Sequence, residues 1–441
     1  MSIPRKTLIN TQASGGSRFV ATAAVVALAA VVAGCDRGGD KAGEPPENAE
    51  SLALPRASVT LRVGVVSDPE LQAAIDRLRG EWAEVTDGEI QTVPIEPDGL
   101  LAAAEECDLM VFPSRSLGEL CEANALRPVR DSVLQSEMLQ FDGFLPLIRE
   151  HEIVYGQQVM ALPLGCPTPL LLTADANALR IDLPDDNRRL ALVYLAWAAP
   201  HAVHRSRTAT LFDADTFVPR LSTPAFVRAL ESLVAAADEQ GDSQIVWPDR
   251  DEPLPPGVAP EPLPGASEAY NGLADAWEPT DPGDQRATLL ASDGRLIGVA
   301  RASRNAATAF RYAAWLAGPE NAGQLSTASD HVANCRGART RSADAWRATD
   351  DRQAARAFAE AGGEALRAGR FLLAPRVPGA DAYLEALGEA VREALEGAPP
   401  AGALAKAVQA WDTMSAQRGR DAQHAAYMRS VNSRPLGSPA R

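Results

Sequence analysis

The stretch Val59–Val66 (VTLRVGVV) is an apolar run that stops at Ser67-Asp68-Pro69, and the apolar spacing then changes. Leu71, Ala74, Ile75, Leu78, Trp82 and Val85 recur at helical intervals. The same switch occurs twice more. A strand over Glu89–Ile95 precedes a helix over Leu100–Glu106, and a strand over Asp108–Phe112 precedes a helix from Ser114 to Asn124. Strands alternating with helices through short connections predict a parallel, doubly wound α/β sheet. In such a sheet ligands lie beyond the carboxyl ends of the strands, here Ser67-Asp68 and Pro113-Ser114-Arg115. Asp68 before Pro69 reads first as a helix N-cap followed by proline at the first helical position. Capping does not compete with ligand contact, because a helix N-terminus presents N–H groups to hydroxyls and anions.

The rest of the chain keeps the alternation but breaks it twice. A short hairpin with Gly156 in its turn spans Ile153–Leu164 and runs into Gly165-Cys166-Pro167, followed by a strand over Thr168–Thr173. Helices are predicted over Arg188–Ala199 and Pro224–Glu239. Residues 241–290 are rich in Pro, Gly and Asp, carry Trp247, Tyr270 and Trp277, and predict an irregular excursion. Order resumes with a turn at Asp293-Gly294 and a strand over Arg295–Arg301. A helix carrying Phe310, Ala313, Ala314 and Leu316 follows. Two amphipathic helices, Ala380–Glu396 and Ala401–Met414, come before a polar tail that reads as frayed.

The first 34 residues are an address. Arg5, Lys6 and Arg18 form a basic start, and Phe19–Val32 is apolar apart from Thr22. As a helix it spans about 21 Å, short of the ~30 Å hydrocarbon core, so it predicts a signal segment and not a membrane span. It ends in Val32-Ala33-Gly34-Cys35, which resembles the bacterial lipobox. That resemblance implies cleavage before Cys35, lipidation of its thiol, and a protein anchored in the periplasm or at the cell surface by acyl chains. Residues 35–57 have linker composition.

Charge and motifs exclude other classes. A formal net charge of −16, with only three lysines, is unsuited to nucleic acid, and no basic run offsets it. The five histidines include one close pair, His201 and His204, which reads as a solvated loop for want of a third ligand nearby. There is no P-loop, HExxH or GxSxG, so neither an enzyme, a cofactor nor a metal site is expected. Four cysteines remain beyond Cys35: Cys107, Cys121, Cys166 and Cys335. Their even number permits disulfides in an oxidising compartment. Cys107 beside a strand and Cys121 in a helix packed ~10 Å from the sheet are too far apart to bridge, and Cys121 reads as a buried thiol. Arg115 and Arg301 both follow strands, and each reads as a ligand contact or as the partner of a surface carboxylate.

The order of segments resembles extracellular solute-binding proteins of the family 1 type, the receptor subunits of sugar-type ABC importers. Three segments carry the likeness. Val154-Tyr155-Gly156 to Leu162-Pro163-Leu164, then Pro169-Leu170-Leu171-Leu172, is similar to the family's crossover between lobes. Gly298 to Ala307, with Phe310, Trp315-Leu316 and Pro319-Glu320, is similar to its return segment. Tyr383–Trp411 is similar to the closing helix pair. The family's small-residue strand in the second lobe has no counterpart, since that place reads Asp242–Pro248. The resemblance implies two lobes, each with a mainly parallel sheet flanked by helices and joined by a hinge. Lobe 1 would hold residues 58–164 and 295–345, lobe 2 residues 168–290 and 370–418, with 419–441 as the tail. It further implies a monomeric receptor that closes over a small, sugar-like solute and delivers it to ABC permease subunits. Ligand contacts would come from Ser67, Asp68, Ser114, Arg115, Gly165 and Ser303, with Trp277 and Tyr383 as aromatic platforms. The alternative is a sensor or scaffold lipoprotein that keeps the bilobal fold.

Overall fold

The switch from period 2 to period 3.6 after Val66 is realised as β1 (Thr60–Val66) and α1 (Pro69–Thr86), and it repeats through β2 (Glu89–Ile95), α2 (Leu100–Glu106), β3 (Leu109–Pro113) and α3 (Leu117–Glu122). The computed structural model of the chain describes residues 59–86, 88–173, 181–205, 209–238, 243–247, 258–333, 335–337 and 352–431. The expected signal segment, Cys35 and the linker to residue 57 lie outside them. β1 pairs in parallel with both β2 and β3. In β3, Leu109 and Val111 enter one apolar cluster and Met110 and Phe112 another, so both faces need cover. α1 supplies it on one side through Leu71, Ala74, Ile75, Leu78 and Trp82, while Val85 falls outside that stripe and is exposed.

After a short α4 (Asp131–Leu134), the hairpin β4 (Val154–Tyr155) and β5 (Gln158–Val159) leads into β6 (Leu162–Gly165). The chain then builds a second layer system. It comprises β7 (Leu170–Thr173), β8 (Ile181–Asp182), α5 (Asn187–Ala202), α6 (Pro224–Asp238) and β9 (Ser243–Val246). β10 (Ala259–Pro262), β11 (Glu268–Asn271), β12 (Ala276–Pro279) and β13 (Ala287–Leu290) follow. It returns through β14 (Arg295–Val299), α7 (Ala306–Leu316) and α8 (Pro319–Ser326). It ends with α9 (Arg352–Ala365), β15 (Arg370–Leu373), α10 (Ala380–Leu395), α11 (Pro400–Gln417) and α12 (Arg420–Ser430).

The first sheet has the order β2-β1-β3-β14-β6, and the second β10-β7-β9-β8, with β13 and β15 as a separate parallel pair. Neither sheet is mainly parallel. β14 runs antiparallel to β3 and β6, because it enters from the second lobe at the carboxyl edge of β3 and has to run back. In the second sheet only β8 and β9 are parallel. One large cluster, built on α5, α6, α10 and α11 with Tyr383 and Trp411 at its centre, fills the second lobe. α9 covers the other face of the second sheet with Phe358, Ala361 and Ala365 against Leu170 and Leu172.

Two expectations fail here. The segment after Arg418 is not a frayed tail, since α12 buries Ala426, Tyr427 and Met428. The Tyr427 hydroxyl accepts the Leu211 N–H at 3.2 Å, while Arg429 pairs with Glu122 of α3. Its few apolar residues are concentrated on one turn, too short a stripe to register as periodicity. Cys121 is half-buried, although Cys107, Cys166 and Cys335 are buried.

α3 packs so tightly on the segment before α10 that a Cβ on Gly118 would lie 1.9 Å from the Arg376 carbonyl oxygen. Gly80 in α1 has open space around it. Intrinsic propensity favours Ala over Gly in a helix by about 1 kcal/mol. Gly80→Ala is therefore expected to raise the urea midpoint, whereas Gly118→Ala lowers it, by about 1–3 kcal/mol of overpacking. Equal gains for both substitutions would show that α3 does not sit against Arg376.

Candidate functional site

The carboxyl ends of β1 and β3 meet the start of β14, and the charged residues of these three ends form one network. Asp68 caps α1, its Oδ1 accepting the Leu71 N–H at 3.0 Å. Its Oδ2 accepts the Arg295 Nε–H at 3.0 Å and the Ser329 hydroxyl at 2.8 Å. Both side chains of the pair are almost fully buried, at 3% and 1% exposure. Arg295 also donates to the carbonyls of Asp293 at 2.9 Å and Ser67 at 3.4 Å. Ser67 holds a left-handed φ of 46°, uncommon for a residue with a side chain, and is exposed at the edge of the sheet.

Arg115 links this floor to the second lobe. Its Nη1 donates to Asp293 Oδ1 at 2.5 Å, and its Nε donates to Asp381 Oδ1, on the first turn of α10, at 2.6 Å. Arg188, at the start of α5, stands 3.6 Å from the other Asp381 oxygen. Exposure rises along the chain of pairs, from 13% at Arg115 to 41% at Asp381. Three carboxylates (Asp68, Asp293, Asp381) thus face three guanidinium groups (Arg115, Arg188, Arg295). Burial works to raise the Asp293 carboxyl, but Arg115, with His331 and Arg295 behind it, holds it below the usual carboxylate range. Ser114 is fully buried beneath Arg115, its hydroxyl donating to the Ser292 carbonyl at 3.3 Å. Nearby, the buried Glu152 accepts the Ala291 N–H at 2.7 Å, and burial raises its pKa.

Of the residues expected to touch a ligand, Ser67, Asp68, Ser114 and Arg115 come together here. Gly165 lies beside them in β6, but Val332 and Ala333 cover it; a Cβ would sit 2.3 Å from Val332 Cα. It serves close packing and not hinge freedom. The other three lie elsewhere. Ser303 donates to Asp108 before β3, and Arg301 donates to the Asn124 and Leu126 carbonyls. Because β14 is antiparallel to β3, whatever follows it emerges at the opposite end of the sheet, ~17 Å from Arg115 at ~3.3 Å per residue. Tyr383 is fully buried, its hydroxyl 3.0 Å from the Ser415 hydroxyl and its ring against Trp411. Two residues on a helix are separated by ~200°, so with Asp381 facing Arg115, Tyr383 must face the core. Trp277 packs near His201, with Arg228 3.7 Å over its ring. His201 lies thirteen residues along α5 from Arg188, about 20 Å away.

Asp293, Arg295, His331 and Asp381 are the residues that sequence reasoning missed. One signal was available for the first two: a charged pair immediately before the apolar LIGV of β14, which a returning strand places at the cleft edge. Among the described residues no group of three or more His, Cys, Asp or Glu is arranged to hold a metal ion, and no helix is long and apolar enough to cross a membrane.

No protein-family model matches the sequence, and no curated protein matches it at the sequence level. Solved structures do match. The sugar-binding protein MalE from Xanthomonas citri superposes with a TM-score of 0.60 at 14% identity, covering 82% of this chain and 98% of its own. The fold is that of the bilobal solute-binding proteins. An ABC transporter solute-binding protein from Agrobacterium radiobacter K84 in complex with ribitol gives 0.56 at 15% identity, over 81% and 98%. One from Agrobacterium vitis S4 with bound D-mannitol gives 0.54 at 13% identity, over 82% and 99%.

The His331 ring, facing Arg295, Asp293, Asp68 and Arg189, has its pKa lowered from 6.5 to about 4, by burial first and Arg295 second. A folded-state value below the unfolded one means that the unfolded chain binds the proton first. His331 therefore contributes stability above pH 6.5 that is lost as the pH falls towards 4. Urea midpoints should fall more steeply across that window for the wild type than for His331→Gln. Parallel profiles would show that this ring does not titrate against the network.

Proposed function

We propose that the protein is an extracytoplasmic solute-binding receptor that holds a small, neutral, hydroxyl-rich solute between its lobes. One observation carries this reading: the Arg115–Asp381 pair. It sets a charged side chain from the carboxyl edge of the first sheet against the first turn of α10 in the second lobe. Guanidinium and carboxylate groups are donors and acceptors suited to hydroxyls. Among the described residues, this network contains no Phe, Tyr or Trp, which favours a solute held by hydrogen bonds over one held by stacking. The relatives in fold with ribitol and D-mannitol accord with such a ligand. In this reading the receptor is a lipoprotein anchored through Cys35 and serves ABC permease subunits, as a monomer.

Binding by closure requires the solute to favour the closed form over the open one. A solute entering here replaces part of the Arg115–Asp381 contact with its own hydroxyls. Thermal shift of the mature chain against ribitol, D-mannitol, maltose and a panel of amino acids and anions tests the reading. A polyol or sugar at 100 times its Kd should stabilise by about 2.7 kcal/mol. Arg115→Met should weaken that ligand at least tenfold, about 1.4 kcal/mol, with the fold retained. Shifts confined to anions or amino acids would overturn the solute class.

The second reading, a sensor or scaffold lipoprotein, is favoured by the same pair in another light. Arg115 already ties the lobes through two carboxylates, and α12 ties them again through Tyr427 and Arg429. It predicts a radius of gyration that no solute changes and a partner other than a permease. Both readings share the anchor. Cys35→Ala should move the protein from the membrane to the soluble fraction, and unchanged fractionation without fatty-acid labelling of the wild type would remove it.

A further inference from the structure

Where β6 ends, two chain segments lie against each other with a thiol on each. The Cys166 N–H donates to the Ala333 carbonyl at 3.2 Å, and Gly165 leaves no room for a side chain beside Val332. The second segment is fixed independently. The Cys335 carbonyl accepts the Leu145 N–H at 3.1 Å, Gly337 donates to the Gly143 carbonyl at 3.0 Å, and the Arg336 guanidinium donates to the Leu139 carbonyl at 2.8 Å. Cys166 and Cys335 are 4% and 3% exposed, belong to one apolar cluster, and influence each other's ionisation.

We propose that Cys166 and Cys335 are a disulfide site, oxidised by a disulfide donor as the protein folds outside the cytoplasm. The main-chain contacts bring the two segments together without the bond and fix each of them independently. The two thiols differ as reactants. The Cys335 thiol is held down by the hydrogen bond from Cys166 and by the Arg336 charge, whereas burial pushes the Cys166 thiol up. Cys335, as thiolate, attacks one sulfur of the donor disulfide, forming a mixed disulfide and releasing the first donor thiolate. Cys166 then loses its proton, attacks the Cys335 sulfur and releases the second. Two electrons pass to the donor, which leaves as two thiols once it has taken up the two protons. The site is nearly sealed in the folded state, so the donor enters late in folding, when residues 332–337 already lie near β6 but have not fully closed over it.

The other two thiols are excluded by their surroundings. Burial raises Cys107 and pushes Cys121 up to about 12, and both sit in the cluster on the opposite face of the sheet. The staple lies within the first lobe, beside the crossing at 165–169. It stiffens the base from which the lobes move without tying one lobe to the other.

The test uses the full chain exported to a bacterial periplasm, denatured, alkylated without reductant and mapped by mass spectrometry. Cys107 and Cys121 should carry the alkyl label, and Cys166 and Cys335 should appear as one linked peptide that reductant separates. Reductant should lower the Tm by on the order of 3–6 °C, and Cys166→Ala/Cys335→Ala should be insensitive to it. Reduced protein refolded with oxidised glutathione should regain the same linkage, which separates this proposal from the question of export. Alkylation of all four cysteines after that refolding, or a linkage through Cys107 or Cys121, would overturn it, even if the double variant did not fold.

Discussion

Arg376 is a fully buried guanidinium that no carboxylate touches among its hydrogen-bond partners. Its Nη1 donates to the carbonyls of His151 at 3.1 Å and Glu152 at 2.7 Å, and its Nη2 to those of Val154 at 2.9 Å and Ser430 at 2.6 Å. Nε reaches the Ser430 hydroxyl at 3.3 Å. Burial of a charge is costly, and it works here to lower the Arg376 pKa, yet guanidinium does not shed its proton in proteins. The structure answers by spending main-chain dipoles on it. Three segments are thereby fixed to one side chain: the one leading into the β4–β5 hairpin, the one leading into α10, and the end of α12.

That arrangement decides what can move. At the second passage, the Glu152 carboxylate holds Ala291 in a left-handed φ of 58°, and the Ser292 hydroxyl donates to the Pro167 carbonyl at 3.3 Å. At the third, the Ala374 N–H donates to the Leu290 carbonyl at 2.9 Å, extending the β13–β15 pairing into the junction. Glycine-like freedom is absent at Gly165, which packs directly on Val332 and Ala333. The lobes are joined by hydrogen-bonded main chain, and α12 adds a strap with Tyr427 in one lobe and Arg429 on the other.

The first βαβ unit, its burial pattern and the carboxyl-edge residues Ser67, Asp68, Ser114 and Arg115 were legible, because all of them follow from local periodicity and from one rule about parallel sheets. Strand direction was not. Nothing local tells Arg295–Val299 that it runs against β3, and that single reversal puts Ser303 and Arg301 at the end of the sheet away from Arg115 and brings Asp293 and Arg295 beside it. Helix rotation was the second gap. The stripe Tyr383, Leu384, Leu387 and Val391 was read correctly as apolar, yet it is the core face, so the residue offered outward is Asp381. An aromatic within a helix's apolar stripe is claimed by the core before any ligand can use it.

The network between the lobes is graded, and the grading gives the site its chemistry. Asp68 and Arg295 are out of solvent, and removing one partner of such a pair typically costs about 3–5 kcal/mol because the other charge stays buried. Asp381 and Arg188 are open to water, where an ion pair is worth about 0–1 kcal/mol. Arg115 spans the two regimes, anchored by Asp293 at the floor and by Asp381 at the rim. In the proposed reading, a solute that displaces Asp381 takes over a rim contact, while Arg115 stays oriented by Asp293 to donate to it. The residues that fix the geometry and those that can exchange are different residues, so the cleft can release its rim contacts without disturbing the sheet edge that positions them.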